Sequence, residues 1–141
     1  MRQEVTCVPL ILRFPVRLPA GVRAPHPVSL RQIPATILDL IGTNADSPYE
    51  SISLLNYVVD RGEPVLSTDG NAHGLVFGDW NLVVQLDASK KQLFNLKNDP
   101  QETTDLAGRP ETAEVQQCLQ QRLDAIVSIL AAKAARAPKI R

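Results

Sequence analysis

With 141 residues the chain is one domain's worth of protein, enough to bury about 70% of the surface its unfolded form exposes. Apolar residues at 44% and charged residues at 21% are ordinary globular usage and exclude a disordered tail, while 11 prolines against 7 glycines require many extended connections. Fifteen basic residues balance fifteen acidic ones, which leaves no net field to hold nucleic acid or an acidic membrane, although residues 1–41 carry five Arg against two acids and residues 42–70 one Arg against five acids.

At the amino end, Gln3, Glu4 and Thr6 interrupt any apolar core, and residues 8–12 are too few for a signal h-region or a membrane span, so neither is expected. Val8-Pro9-Leu10-Ile11-Leu12-Arg13-Phe14-Pro15 is a short apolar run bounded by proline, which predicts a buried strand. Residues 14–27, rich in Pro and Gly, predict a surface loop. Arg13 at its edge, with Arg17 and Arg23 within it, are read as solvated, with an anionic sulfate ester as the functional alternative. His26 lies between Pro25 and Pro27, where nothing orients it as a base. A helix is predicted from Ser29 to about Ile41: Ser29 and Gln32 have capping-box spacing, Ile33, Ile37, Leu40 and Ile41 recur at helical spacing, and Gly42 is the stop. Pro34 fits the first turn of its regular part.

Residues 43–50 predict a polar loop, residues 63–67 a short strand and residues 69–74 a turn cluster. Asp69, Asn71 and His73 are metal-ligand types within five residues. A single loop supplies too few converging ligands, so no metal site is assigned to them. Leu75, Val76 and Phe77, then Gly78-Asp79, then residues 80–86 predict a hairpin with Trp80 as a core anchor rather than a sugar platform. Leu93, Phe94 and Leu96 form a further strand with Phe94 and Leu96 on one face. It must end before Asn98-Asp99-Pro100, where Asp99 and Pro100 suit the first two positions of a turn closed by Glu102. The last element is a long helix over residues 110–135, with Pro110 at its first position and a buried stripe of Val115, Cys118, Leu119, Leu123, Ile126, Val127 and Leu130. Trp80, Leu82, Val84, Phe94 and Leu96 are expected to meet Leu119, Leu123, Ile126 and Leu130, with Gln120 exposed. Cys7 and Cys118, 111 residues apart, establish neither a disulfide nor a metal site.

Residues 92–108, Gln-Leu-Phe-Asn-Leu-Lys-Asn-Asp-Pro-Gln-Glu-Thr-Thr-Asp-Leu-Ala-Gly, resemble the Leu-Tyr-Asp-Leu-x-x-Asp-Pro-x-Glu-x-x-Asn-Leu-Ala segment near the carboxyl end of sulfatases. Leu93, Leu96, Asp99, Pro100, Glu102, Leu106 and Ala107 match, while Phe94, Asn95 and Asp105 are departures. Residues 8–15 resemble the family's Val-Pro-Leu-Ile-Ile-Arg-x-Pro strand, and residues 28–42 its Val-Ser-Leu-x-Asp-x-x-Pro-Thr-Ile-Leu-Asp-Leu-Ala-Gly helix, with Gln32 for the aspartate. Ser53, Leu54 and Leu55 match a Gly-x-Ser-Leu segment, and residues 75–84 a Trp-Lys hairpin in which Asn81 replaces the lysine. Cys7-Val8-Pro9 has the first three positions of the signature Cys-x-Pro-x-Arg, whose cysteine becomes the formylglycine nucleophile. The fifth position is Ile11, so Cys7 is read as a small residue entering the strand.

The resemblance implies an α/β protein, α+β over this stretch: the C-terminal part of an alkaline phosphatase-like sulfatase fold, with a small antiparallel sheet packed by a long C-terminal helix. It divides the chain into residues 1–42, the end of the central α/β domain, 43–62, a connecting segment, and 63–141, the C-terminal subdomain. The chain would begin just downstream of the active-site residues, and the backbone of residues 8–14 would lack its ladder neighbours. No catalytic, cofactor-binding or metal-binding residue is assigned in it. The complete enzyme, by resemblance, uses formylglycine and calcium held by a missing N-terminal catalytic part. The implied function is that of a C-terminal portion of a sulfuric ester hydrolase, inert alone. The alternatives are a phosphonate or phosphate monoester hydrolase of the same superfamily and a non-catalytic interaction module.

Overall fold

The computed structural model describes residues 6–24, 26–43, 52–56, 63–87 and 90–136. Its centre is a four-stranded antiparallel sheet, β1 (Val65–Thr68), β2 (Ala72–Phe77), β3 (Trp80–Gln85) and β4 (Lys91–Asn95), in the spatial order β1-β2-β3-β4. The Gly78-Asp79 pair joins β2 to β3 as predicted. Gly78 adopts φ +58 while Asp79 has no positive φ, the type II′ geometry whose twist matches that of the strands it connects. The predicted turn cluster at 69–74 is shorter than expected. The Asp69 carboxylate accepts hydrogen bonds from the backbone N–H groups of Asn71 (3.0 Å) and Ala72 (2.8 Å), which finishes the reversal in three residues and leaves Ala72, His73 and Gly74 free to pair in β2.

Register decides which side chains form the core. Leu66, Leu75, Leu82 and Leu93 are successive cross-strand partners, so they share one face. Leu75, Leu82 and Leu93 pack there against Leu119 and Leu123 of α2 (Ala113–Arg136), with Phe77, Trp80 and Val84 at the margin. The proposed packing of sheet on helix therefore holds for Trp80, Leu82, Val84, Leu119, Leu123 and Ile126. It fails for β4. Pairing Leu82 with Leu93 turns Phe94 to the opposite face, beside Asn81, and β4 ends before Leu96, which instead donates its N–H to the Asp79 carbonyl (2.7 Å). A one-residue shift in register exchanges the two faces of a strand. On α2, Leu130 is half-buried outside the core cluster and Cys118 is exposed at the edge of the stripe. Gln120 is half-buried rather than exposed, and its amide donates to Asp124 (2.8 Å). The helix opens with a 3-10 turn, Pro110–Thr112, and Lys133 and Arg136 occupy its last turn, as the dipole favours.

Towards the amino end, a 3-10 turn Leu30–Gln32 leads into α1 (Ile33–Leu40). The capping box forms: the Ser29 hydroxyl accepts from the Arg31 N–H and Gln32 Oε1 accepts from the Ser29 N–H (3.0 Å). Gly42, at φ +75, ends the helix. Its N–H bonds the Asp39 carbonyl and that of Thr43 bonds the Leu38 carbonyl, both at 3.1 Å, which is a Schellman pair. Thr36 is fully buried; its hydroxyl donates to the Gln32 carbonyl (2.6 Å) and accepts from the Leu54 N–H (2.9 Å), tying α1 to the short turn Leu54–Asn56.

The strand predicted over residues 8–15 does not form. Residues 7–14 have no regular structure, Val8 is 57% and Ile11 88% exposed, and no described strand runs beside them. An extended apolar segment without a neighbour has no ladder to join. The bulk of the 43–50 loop, the ends of the 51–59 segment and the basic tail lie outside the described residues.

Candidate functional site

The most constrained polar constellation surrounds the segment between β4 and α2. Asp99 and Glu102 close the predicted turn through a hydrogen bond from the Glu102 N–H to the Asp99 carbonyl (3.1 Å). The Asp99 carboxylate accepts from the Thr104 N–H (2.8 Å) and the Thr103 hydroxyl (3.0 Å). Those donors, the backbone of Thr104 foremost, hold its pKa below the ordinary value. Glu102 takes φ 54, the left-handed region that costs a non-glycine residue about 1–2 kcal/mol. Its side chain is buried, and one oxygen accepts from Asn81 Nδ2 at 2.6 Å. Asn81, the residue standing where the resembled hairpin has lysine, is thus the partner of the motif's glutamate across the sheet.

Asp105 completes the clamp. Its Oδ1 accepts from the N–H groups of Leu93 (3.0 Å) and Ala107 (2.9 Å), while the Leu106 N–H bonds the Leu93 carbonyl (2.8 Å). Thr112, in the opening turn of α2, donates to the Leu106 carbonyl (2.7 Å), and Gln116 accepts from the Gly108 N–H (3.0 Å). These contacts hold sheet, loop and helix together, while Asn81 Oδ1, on the far side of the amide that bonds Glu102, is buried without a hydrogen-bond partner. The arrangement positions backbone: its carboxylates and threonine hydroxyls are held by the loop and the helix turn.

The other singled-out residues stay dispersed. Cys7 and Cys118 are free and exposed, so the expectation that Cys7 enters a buried strand is not met. Arg13 and Arg23 are exposed, whereas Arg17 departs from the solvated reading: its guanidinium donates to the Asp39 and Leu40 carbonyls at the C-terminus of α1, where a cation is favoured. His26 is half-buried in the loop. His73 sits in β2 opposite Thr68 and Val84, and the Asp69 carboxylate is occupied by the turn. The backbone N–H of Asn71, then that of Ala72, lowers the pKa of Asp69. Among the described residues no three His, Cys, Asp or Glu side chains are grouped to hold a metal ion, and no helix is long and apolar enough to cross a membrane. An open depression of about 400 Å³ lies beside Lys91, Arg109 and the glutamines of the first turns of α2, with no carboxylate or thiol on its walls.

Sequence reasoning placed the Asp99 turn but missed the Asn81–Glu102 pair and the Arg17 cap. The available signal for the pair was a polar residue at position 81 between Trp80 and the apolar run Leu82, Val83 and Val84.

No family model and no curated protein sequence matches the chain. Solved structures do. A protein of Bacteroides thetaiotaomicron assigned to the sulfatases aligns with a TM-score of 0.56 at 16% identity, over 74% of this chain and 25% of that one. BT1596, a 2-O GAG sulfatase, gives the same figures. BT4656, solved with its substrate D-glucosamine-2-N,6-O-disulfate, aligns with a TM-score of 0.53 at 20% identity, over 64% of this chain and 22% of that one. The four-stranded sheet and its long helix therefore have the fold of part of a sulfatase, and the chain spans about a quarter of the length of these proteins.

Proposed function

We propose that this chain is the C-terminal portion of a sulfatase-type sulfuric ester hydrolase, a subdomain that builds structure while the chemistry is done elsewhere in the enzyme. The observation that supports this reading is the alignment with about a quarter of the sulfatase chains. Two of the motifs that resemble the family, the hairpin and the Asp99 segment, meet there at the Asn81–Glu102 hydrogen bond. In this reading residues 1–42 end the central domain, 43–62 connect, and 63–141 form the C-terminal subdomain.

Sulfate-ester hydrolysis of this type needs an activated nucleophile, a divalent metal on several carboxylates and cations to receive the leaving sulfate. Calcium requires six to eight converging oxygens. The described residues do not fit that need, because Asp69, Asp99 and Asp105 spend their carboxylates on backbone N–H groups and Glu102 is bound to Asn81. The nucleophile and the metal ligands belong, in this reading, to the larger part of the enzyme.

Two measurements test it. The purified chain should not hydrolyse an aryl sulfate above buffer, with or without calcium; turnover that vanishes in Cys7→Ala would overturn the assignment. The transcript upstream of the Met1 codon should carry an in-frame Cys-x-Pro-x-Arg. A different nucleophile there would favour a phosphonate or phosphate monoester hydrolase, and a separate promoter with its own ribosome site an interaction module.

A further inference from the structure

The depression of about 400 Å³ between the start of β4 and the first turns of α2 has a lining of one chemical kind. Strand alternation puts Lys91 on the face that carries Leu93, which α2 covers, and its place two residues ahead of that core leucine sets it beside the opening turns of the helix. Gln116, Gln117, Gln120 and Gln121 recur at i, i+1, i+4 and i+5, so they form one strip along that side of α2. Arg109 stands where the loop enters the helix. Two cations and four primary amides thus line one hollow, and among the described residues the apolar part of the wall reduces to Pro110 and Ala113.

Two of the amides are already oriented. Gln116 Oε1 accepts from the Gly108 N–H (3.0 Å), and the Gln120 amide donates to Asp124 (2.8 Å). That second bond leaves Gln120 Oε1 buried and without a hydrogen-bond partner, an acceptor that lacks its donor. Among the described residues neither the Lys91 ammonium nor the Arg109 guanidinium is paired with a carboxylate.

We propose that this hollow binds an acidic saccharide, with Lys91 and Arg109 receiving its sulfate or carboxylate substituents and the glutamine strip its hydroxyls. A primary amide offers both a donor and an acceptor to a hydroxyl, and a cation forms charge-assisted bonds to either acid group. The volume lies within the range of small-ligand sites, about 300–1,000 Å³, and the open side lets a sugar chain run past it. A hydrophobic ligand would find almost no apolar wall, and a nucleic-acid strand no aromatic side chain to stack on. An acidic peptide would satisfy the two cations but has no run of hydroxyls for the glutamines. Such a site gives the subdomain a binding role of its own, apart from the reaction proposed above.

The test measures fluorescence anisotropy of labelled probes titrated with the full chain at about 0.15 M ionic strength, where exposed charges more than about 8 Å apart are largely screened. The probes are heparin hexasaccharide, which carries sulfates and carboxylates, hexagalacturonate, which carries carboxylates only, uncharged maltohexaose, and hexaglutamate. Saturable binding of heparin hexasaccharide or hexagalacturonate, at least tenfold tighter than of the other two, is expected, and the tighter acidic sugar identifies the acid group. Lys91→Ala with Arg109→Ala should weaken it at least tenfold and Gln117→Ala with Gln121→Ala at least threefold. Lys97→Ala with Arg136→Ala, which removes the same charge elsewhere, should change it less than twofold. All six positions are exposed, and Lys91→Gln with Arg109→Gln serves should the first pair fail to fold by circular dichroism. Equal losses from the two charge-removing pairs, or none from the glutamine pair, overturn the site. Hexaglutamate bound as tightly as the sugars makes the ligand an acidic peptide and overturns its class; the absence of saturable binding overturns site and class together.

Discussion

Leu123→Ala is the substitution that most directly measures the core. Leu123 is 2% exposed and faces Leu75, Leu82 and Leu93, each fully buried and each fixed in a hydrogen-bonded ladder, with Leu119 one helical turn away. Removing three carbons forfeits about 2.4 kcal/mol of transfer free energy at about 0.8 kcal/mol each. The neighbours cannot close the gap without shifting strand register, so a cavity term adds to this and places the loss at about 3–5 kcal/mol, the upper part of the range for such changes. That is a large fraction of the about 5–15 kcal/mol that holds a domain folded. In urea, with a slope of about 1.5 kcal/mol/M for a small protein, the midpoint should fall by about 2 M or more with the slope unchanged. Ile129→Ala, on the same helix but 55% exposed, should move it by less than about 0.5 M. A loss below about 1 kcal/mol at Leu123, or equal shifts for the two variants, would refute the packing of α2 on the sheet.

Asn81→Leu should destabilise by about 1.5–3 kcal/mol in the same titration, because it strips the buried Glu102 carboxylate of a hydrogen bond to a charged group; a neutral outcome would mean that the pair contributes nothing. Thr36→Val removes the hydroxyl that joins Gln32 to Leu54, so amide exchange at the Leu54 N–H should quicken while that of the β2–β3 hairpin stays slow. Exchange over residues 8–12 should be fast in the wild type already, and protection equal to that of the hairpin would contradict the open segment. Asp99 has its pKa lowered in the folded chain, so it contributes stability above the unfolded value that is lost as the pH falls through the folded one. Below about pH 4 the stability of Asp99→Asn should therefore fall less steeply than that of the wild type, and identical slopes would show that the carboxylate is not coupled to folding.

Elements whose signals are local were readable in the residues. The capping box at Ser29, the Gly78-Asp79 reversal, the Asp99-Pro100 turn and the stripe centred on Leu119 and Leu123 all depend on neighbours within one or two turns of chain. What failed depended on a distant partner. Phe94 and Leu93 are equally good inward residues until pairing with Leu82 chooses between them, and residues 8–15 have strand composition but no strand beside them. Arg17 looked like any loop arginine because the carbonyls it caps are more than twenty residues away. Glu102 was legible as the close of a turn, but neither its left-handed φ nor its reach to Asn81 has a trace in local composition.

The contacts that Asp105 and Leu106 make with Leu93 bear on solubility. Both backbone groups of Leu93 on the outer side of β4 are taken, and the neighbouring Asn95 carbonyl accepts from the Asp99 N–H (2.8 Å), so the loop occupies the line where a fifth strand would have to lie. A carboxylate stands there in place of a strand's carbonyl, and it repels any incoming edge that is itself acidic. Growth of a cross-β fibre needs two open edges on every unit, one to receive and one to offer. With the β4 side sealed by its own polypeptide, this sheet can at most be joined once, and an assembly of such units ends at a pair.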